Sequence, residues 1–156
     1  LELNKNPILN INYGDVKAIL ETKKIETPKI KDVSNAIISI RQRKLPDPKK
    51  IGNSGSFFKN PIIDINLLKL IEGKYPNVVS YKINENKFKI AAGWMIEKAG
   101  WKGKKFNNFG VHENQALVLV NYGLANGKEI FNLSEKIILD IKEKFGITLE
   151  REVNII

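Results

Sequence analysis

Hydrophobic positions recur along the chain with spacings of about two and about 3.6 residues, which predicts strands and helices that alternate. Residues 7–13 have the pattern of a strand, and Tyr13-Gly14-Asp15 is expected to form a turn that opens a short helix through about Leu20. Thr27-Pro28 ends this helical stretch, because proline cannot continue a helix. The amino-terminal part is therefore expected to contain one strand and one short helix.

A stronger helical pattern covers residues 32–43, with Asp32 as the predicted amino-terminal cap. Its apolar face is formed by Val33, Ala36, Ile37 and Ile40. Leu45-Pro46 ends this helix, since proline disfavours a helical conformation in the residue before it. The pattern then predicts a loop over 49–56, a strand over 57–64 and a helix over 66–74.

The second half of the chain has a clearer pattern. Short extended segments are expected at 78–81 and 88–90, followed by a helix over 92–99. Residues 102–114 carry glycine, lysine and asparagine with little periodicity, so a loop is expected there. The continuous apolar run at 116–120 predicts a strand buried on both faces.

The last helix is expected to begin at Asn132, because Glu135 three residues later completes a capping-box pattern. Its apolar face is formed by Leu133, Ile137, Ile138, Ile141 and Phe145. Gly146 ends it, and residues 147–155 alternate like a half-buried strand. Short strands and irregularly spaced helices together predict an α+β fold, a single compact domain in which strands and helices intermingle.

Composition excludes several classes of site. The chain has 156 residues, which fits one domain, and no cysteine, which excludes disulfides, thiol nucleophiles and cysteine-ligated metals. The single histidine, His112, leaves no histidine pair for a metal. No stretch approaches the ~18 apolar residues that a membrane span needs. Because the chain begins at Leu1 without an apolar secretory segment, we expect a piece of a longer, cytoplasmic protein.

The net charge of +9 is compatible with an anionic partner. However, 23 of the 26 basic residues are lysine and only three are arginine, alongside 23 isoleucines and 18 asparagines. An AT-rich coding sequence produces this composition without selection for binding, and arginine is the better residue for bidentate phosphate recognition. The charge therefore favours a solvated lysine surface, with a small anionic ligand left open.

The segment around Ser56 is the most informative for chemistry. Small residues at 52–56 let a ligand approach backbone N–H groups, and Ser56 lies between them and Phe57-Phe58. A flexible turn before an ordinary strand has the same spacing, so both interpretations stay open. Neither a Walker phosphate loop nor a Gly-x-Ser-x-Gly nucleophile elbow is present. We expect His112 to be structural, which argues against Ser56 as an activated nucleophile.

Four separated stretches, at 44–61, 90–94, 111–121 and 149–153, occur in an order and spacing that resemble a known family. That family is the UDP-N-acetylenolpyruvoylglucosamine reductases (MurB). The resemblance extends over essentially the whole chain and is to the C-terminal part of the enzyme, in the form with a tyrosine-containing substrate loop, here around Tyr81. It implies that residues 1–156 form a C-terminal substrate-binding domain and that the FAD-binding domains, with a catalytic arginine and tyrosine, lie upstream.

The resemblance also implies the reaction, that of an NADPH-dependent FAD oxidoreductase in peptidoglycan synthesis and thus in cell wall biogenesis, cell shape and cell division. Reduced flavin delivers a hydride to C3 of the enolpyruvyl group, and a proton then reaches C2 to give UDP-N-acetylmuramate. Ser56 matches the family's proton donor and Glu152 its second catalytic residue. The positions that hold the UDP and sugar portions of the substrate are matched by Lys44, Asn60, Tyr81 and Gln115.

These roles agree with elementary chemistry. A serine hydroxyl is a poor acid in water but a competent one toward a carbanion-like carbon in a site that excludes water, and Lys44 or Lys59 would ease formation of the alkoxide. An ionised Glu152 beside growing negative charge would raise the barrier, so we expect it to be protonated or paired with a cation. Glu150, on the same predicted strand face, would disfavour simultaneous ionisation of both carboxyls.

Structural alternatives remain open for the same residues. Both glutamates are also compatible with an exposed strand, and Asn60 with the end of a turn. Tyr81 is compatible with a surface tyrosine and Gln115 with the polar entry to a strand. Trp94 and Trp101 are expected in the core or at a domain interface.

The chain alone is expected not to hold FAD, because it lacks a Gly-x-Gly-x-x-Gly fingerprint. We expect it to be colourless, inactive and at best a weak binder of UDP-sugars, with its own flavin domain and the substrate as partners and no membrane or nucleic acid. The alternative is a basic nucleic-acid-binding module that uses Phe57 and Phe58 to stack on bases. The scarcity of arginine does not favour it.

Overall fold

The computed structural model describes residues 4, 7–12 and 14–156. The chain divides into two compact units, Leu1–Leu45 and Pro46–Ile156. The helices are α1 (Val16–Thr22), α2 (Ile30–Lys44), α3 (Ile65–Lys74), α4 (Ala92–Lys98) and α5 (Gly127–Phe145). The strands are β1 (Gly52–Ser56), β2 (Ile62–Asp64), β3 (Ser80–Lys82), β4 (Lys87–Ile90), β5 (Lys105–Phe106), β6 (Phe109–Val111) and β7 (Val118–Asn121). This mixture confirms the predicted α+β class, whereas the assignment of residues 1–156 to a substrate-binding domain stays a prediction.

The first unit contains α1 and α2, which share a small apolar core of Val16, Leu20 and Ala36. The break at Thr27-Pro28 is confirmed. Contrary to the prediction, Asp32 is not the amino-terminal cap but lies in the first turn of α2, where it accepts a hydrogen bond from the Lys29 N–H at 2.8 Å; the cap is Lys29, three residues earlier than predicted.

The strand predicted over 7–13 is wrong for residues 7–12, which are irregular, and residue 13 lies outside the described residues. No strand within the described ranges pairs with 7–12. An apolar run that lacks a neighbouring strand cannot satisfy its backbone groups as a sheet does.

The second unit has two antiparallel sheets. One has the strand order β1-β7-β6-β5 and the other the order β2-β4-β3. Strand β7 is buried on both faces, as its apolar run predicts. The core between sheets and helices includes Phe58, Ile90 and Met95, each at most 1% exposed. Within the described chain, no helix is long and apolar enough to cross a membrane.

Strand β1 corrects the prediction of a loop over 49–56. Its small polar residues show no strand periodicity, but Gly52 pairs with Asn121 and Asn53 with Val120 of the buried strand β7. Backbone pairing with the neighbouring strand β7, rather than side-chain burial, defines this strand. The register shifts between Asn53 and Ser56, where Gly55 adopts a φ of +75°.

The loop predicted over 102–114 is also wrong, because it contains the hairpin of β5 and β6. Lys105 pairs with Gly110 and Phe106 with Phe109, and the two phenylalanine rings stack at 5.7 Å. The strands are only two and three residues long, too short for a hydrophobic period to reveal them.

Helix α5 begins earlier than predicted. Asn126 and Glu129 form its capping box, with Asn126 Oδ1 accepting from the Glu129 N–H at 3.0 Å and Glu129 Oε2 from the Asn126 N–H at 2.8 Å. The sequence carries the same Asn-x-x-Glu pattern twice, and the second copy lies inside the helix. The predicted apolar face is confirmed, with Ile138 partly buried and the others buried. Gly146 ends the helix in the left-handed conformation, at a φ of +70°.

The predicted strands 57–64 and 147–155 are formed only in part. The first divides into a single bridge at Phe58 and the strand β2, separated by Pro61, which has no N–H to donate. In the second, only Arg151 pairs, opposite Phe58. The predicted alternation holds at its start, where Ile147 and Leu149 are buried, and is lost at Ile155, which is 55% exposed.

Candidate active site

Ser56 is the last residue of β1 and lies at the edge of a buried aromatic layer. The backbone turns at Gly55, whose N–H donates to Asn53 Oδ1 at 3.1 Å, and Ser56 itself is exposed. The next residue returns to the core, with the Phe57 N–H donating to the Leu117 carbonyl at 2.8 Å. Phe57 and Phe58 are buried edge to face with ring centroids 5.4 Å apart. The bulge thus presents one hydroxyl to solvent beside an apolar wall.

Glu152 lies on the backbone segment next to Ser56. Its N–H donates to the Phe57 carbonyl at 2.9 Å, and the neighbouring Arg151 forms the bridge with Phe58. Glu152 is exposed, as Ser56 is. The structure therefore brings the two residues that the resemblance assigns to catalysis onto adjoining segments, although they are 96 positions apart in the sequence.

Glu150 forms an ion pair with Lys59, so its negative charge has a cationic partner in addition to its neighbour Glu152. The backbone supports this pair, because the Lys59 N–H donates to the Glu150 carbonyl at 2.9 Å. Both side chains are at least half exposed, so solvent screens their attraction. Lys59 is thus a cation within a few residues of Ser56, but its ammonium is already paired with Glu150.

Arg151 is the residue of this site that sequence reasoning left without a role. Its Nε donates to Ser134 Oγ at 2.8 Å, it pairs with Glu135, and its guanidinium carbon lies 4.5 Å from the centre of the Phe131 ring. All three partners are on α5. The only signal in the sequence is compositional, since Arg151 is one of three arginines among 26 basic residues.

Asn60 and Gln115 lie against the first turn of α4. Asn60 Oδ1 accepts from the Ala92 N–H at 2.9 Å. A Cβ placed on Gly93 would lie 3.5 Å from Gln115 Oε1 and 3.3 Å from Leu117 Cγ, so glycine lets these side chains approach the helix. The oxygen of Asn60 therefore has a structural partner, while its amide nitrogen remains a donor for a ligand.

Tyr81 is 58% exposed and lies in the edge strand β3, not in a loop. It pairs directly with Lys89 of β4. Residues directly opposite on antiparallel strands project to the same face, so an aromatic hydroxyl and an ammonium are neighbours on this exposed face. Lys89 was missed from the sequence, because a lysine alternating with apolar residues is indistinguishable from any solvated strand face.

Lys44 belongs to the first unit, where it is the last residue of α2. Its ammonium lies 3.1 Å from Asp15 Oδ2, and Arg43 donates to the same oxygen at 2.9 Å. Hydrogen bonding and charge from Lys44, with a smaller effect of Arg43, hold the pKa of Asp15 below its usual value. The predicted role of Lys44 in holding substrate stays a prediction.

His112 is structural, as expected. It is 8% exposed, its backbone N–H donates to the Val118 carbonyl at 2.9 Å, and its Nδ1 accepts from the Asn114 N–H at 3.3 Å. Burial lowers the pKa of the imidazole below 6.5, although Glu113 opposes the shift. Within the described part of the chain, no group of three or more histidine, aspartate or glutamate side chains is arranged to hold a metal.

The nucleic-acid alternative loses its stacking residues. Phe57 is 4% exposed and Phe58 is 1% exposed, so neither ring is available to a base. Trp101, 9% exposed, and Trp94, packed against Tyr75 and Phe145, belong to the core, which confirms the expectation for both tryptophans.

Comparison with known proteins gives a consistent result. The family described as UDP-N-acetylenolpyruvoylglucosamine reductase, C-terminal domain, matches residues 47–156. A UDP-N-acetylenolpyruvoylglucosamine reductase of Flavobacterium johnsoniae is 53% identical over 152 residues, 97% of this chain and 45% of that protein. The protein of that name in Amoebophilus asiaticus is 47% identical over 100% of this chain and 46% of its own length. The one in Pseudomonas aeruginosa is 44% identical over 99% of this chain and 46% of its own length. The chain spans slightly less than half the length of these relatives.

Proposed function

The chain belongs to the UDP-N-acetylenolpyruvoylglucosamine reductase family, and from this membership we propose that it is the substrate-binding and proton-donating part of such a reductase. The complete enzyme would reduce the enolpyruvyl ether of UDP-N-acetylglucosamine to the lactyl ether, a step of peptidoglycan synthesis in the cytoplasm. The observation that carries the proposal is the adjacency of Ser56 and Glu152, which the Phe57 backbone joins through a hydrogen bond of 2.9 Å.

Ser56 is proposed to give the proton that C2 of the substrate receives. The Gly55 bulge exposes its hydroxyl, while Phe57 and Phe58 behind it exclude water from one side. A hydroxyl is a weak acid, but the acceptor is an enolate carbon that is far more basic than any oxygen of the site. General acid catalysis by a positioned hydroxyl is therefore reasonable here.

Glu152 is proposed to act as the second catalytic group next to Ser56. A carboxylate beside the negative charge that builds on the substrate would oppose the reaction, so Glu152 is proposed to be protonated or paired with a cation once substrate is bound. Lys59 is the nearest lysine along the Ser56 segment. Its ammonium is paired with Glu150. Moving the ammonium toward the substrate would therefore exchange the Glu150 carboxylate for the carboxylate of the substrate.

Two groups of side chains are proposed to hold the substrate. The amides of Asn60 and Gln115 converge on the first turn of α4 and can bind sugar or phosphate oxygens. Tyr81 and Lys89, adjacent on the exposed face of β3 and β4, supply a hydroxyl and a positive charge that suit a diphosphate. Lys44 is proposed as a further phosphate ligand in the complete protein.

FAD and NADPH are proposed as cofactors of the complete enzyme. This chain has no Gly-x-Gly-x-x-Gly segment, and its candidate catalytic side chains are exposed, which fits a site completed by another part of the protein. When bound, the reduced flavin supplies the hydride for C3. The residues of this chain orient the substrate and deliver the proton.

The test is reconstitution. We expect the chain alone to be colourless and inactive, and an equimolar mixture with the upstream half of the protein to oxidise NADPH only when UDP-N-acetylenolpyruvoylglucosamine is present. A chain carrying Ser56→Ala is the matched control and should restore flavin binding without turnover. NADPH oxidation by the chain alone, or no substrate-dependent oxidation by the fused full-length protein, would contradict the proposal.

A further inference from the structure

The segment that carries Glu152 is held from two sides. On one side, the Phe57 carbonyl and the Lys59 N–H bond to it at 2.9 Å each. On the other side, the Arg151 side chain connects this stretch to α5 through polar contacts with Ser134 and Glu135. Residues 147–155 form no continuous strand, and only the isolated bridge between Arg151 and Phe58 is present. A full strand ladder therefore does not fix the position of Glu152.

The Arg151 anchor is well built. Ser134 is 0% exposed and accepts from Arg151 Nε at 2.8 Å, while the Arg151 side chain is 20% exposed. Glu135 neutralises the guanidinium, and the Phe131 ring lies 4.5 Å from it, an arrangement that combines an ion pair with a cation–π contact. Three contacts to one rigid helix fix the planar group in position and orientation.

We propose that Arg151 is a positioning residue that holds Glu152 beside Ser56 for the proton-delivery step. Successive residues of an extended segment project to opposite faces, so fixing the Arg151 side chain against α5 directs the Glu152 side chain to the exposed face. The inference rests on the proposed function, because it gives Arg151 a role only through Glu152.

The structure predicts a specific kinetic effect. Arg151→Met keeps much of the side-chain length but removes all the polar contacts to α5. A displacement of about 1 Å at a reacting group costs up to about a hundredfold in rate, so we expect the step that consumes substrate to slow about ten- to a hundredfold. The reduction of the enzyme by NADPH and the KM for substrate should stay within about twofold, because the Arg151 side chain is bound to Ser134, Glu135 and Phe131 of α5 and is given no role in binding either molecule.

The test uses the complete protein with five variants: Arg151→Met, Arg151→Lys, Glu152→Gln, the double variant of Arg151→Met with Glu152→Gln, and Lys142→Met as a control that removes one exposed charge from α5. Single-turnover kinetics measure reduction by NADPH and consumption of substrate separately. If Arg151 acts through Glu152, the double variant is no slower than Glu152→Gln alone, and Arg151→Lys restores part of the rate. Lys142→Met should behave as the parent.

Three results separate the inference from the proposed function. If Glu152→Gln consumes substrate at the parent rate, the catalytic role of Glu152 fails, and the inference fails with it. If Glu152→Gln is slow while Arg151→Met is not, or if their effects multiply in the double variant, the positioning role is refuted and the proposed function stands. If Arg151→Met does not fold, Ser134→Ala removes one contact only, and an unchanged substrate step in that variant refutes the inference.

Discussion

Gly110→Ala should destabilise the second unit strongly, because backbone atoms occupy the space a methyl group would need. A Cβ at residue 110 would lie 2.3 Å from the Lys104 carbonyl oxygen and 3.0 Å from the Lys105 Cα. Ordinary contacts are about 3.5 Å, so the β5–β6 hairpin would have to open by about 1 Å. The same Lys104 oxygen accepts a hydrogen bond from the Val111 N–H at 2.9 Å, which the opening would stretch.

The expected cost combines overpacking, about 1–3 kcal/mol, with a weakened hydrogen bond, about 0.5–1.5 kcal/mol. We expect the free energy of unfolding to fall by about 2–4 kcal/mol. Urea denaturation followed by tryptophan fluorescence is a suitable assay, because Trp94 and Trp101 both lie in the second unit. For a urea m-value of about 2 kcal/mol/M, the midpoint should fall by about 1–2 M.

Gly73→Ala is the matched control, with the opposite sign expected. Gly73 lies in α3, and nothing is within 4 Å of a Cβ placed on it. Alanine is favoured over glycine in a helix by up to about 1 kcal/mol, so this variant should be slightly more stable than the parent. Equal midpoints for the parent and Gly110→Ala would refute the packing described for the hairpin.

Three further predictions concern His112, Asn60 and Lys89. Burial lowers the pKa of His112, so the unfolded chain binds a proton before the folded chain does as the pH falls. The contribution of His112 to stability is therefore complete above about pH 6.5 and is lost below it. His112→Asn should flatten the pH dependence of the urea midpoint between about pH 7.5 and about pH 5.5. Asn60→Ala should cost about 1 kcal/mol in the same assay, since the Ala92 N–H loses its acceptor, whereas Asn60→Asp keeps it and should lose much less. In the complete protein, Lys89→Ala should weaken UDP binding about tenfold by calorimetry with Lys69→Ala unchanged; equal affinities for both would remove Lys89 from the site.

The helices were largely predictable from the sequence, because their apolar faces repeat over several turns. Leu133, Ile137 and Ile141 of α5 illustrate this, since each lies on the predicted face and is at most 2% exposed. The start of the same helix was not predictable, because Asn126/Glu129 and Asn132/Glu135 carry the same capping pattern. Only packing decides which copy caps the helix.

Strands defined by their neighbours could not be predicted. Strand β1 contains no large apolar residue, and its pairing with β7 depends on residues about 65 positions away. Individual site residues were matched through the family resemblance, whereas the bulge at Gly55 and the anchoring of Arg151 on α5 are products of the folded chain. Neither has a local signal beyond a glycine and an infrequent arginine.

The central claim is that Ser56 delivers the proton to the substrate carbon, and single-turnover kinetics of Ser56→Ala in the complete protein test it most directly. We expect reduction by NADPH to keep its normal rate, while consumption of UDP-N-acetylenolpyruvoylglucosamine by the reduced enzyme slows by at least about a hundredfold, the range a general acid contributes. If the variant consumes substrate at the parent rate, Ser56 is not the proton donor.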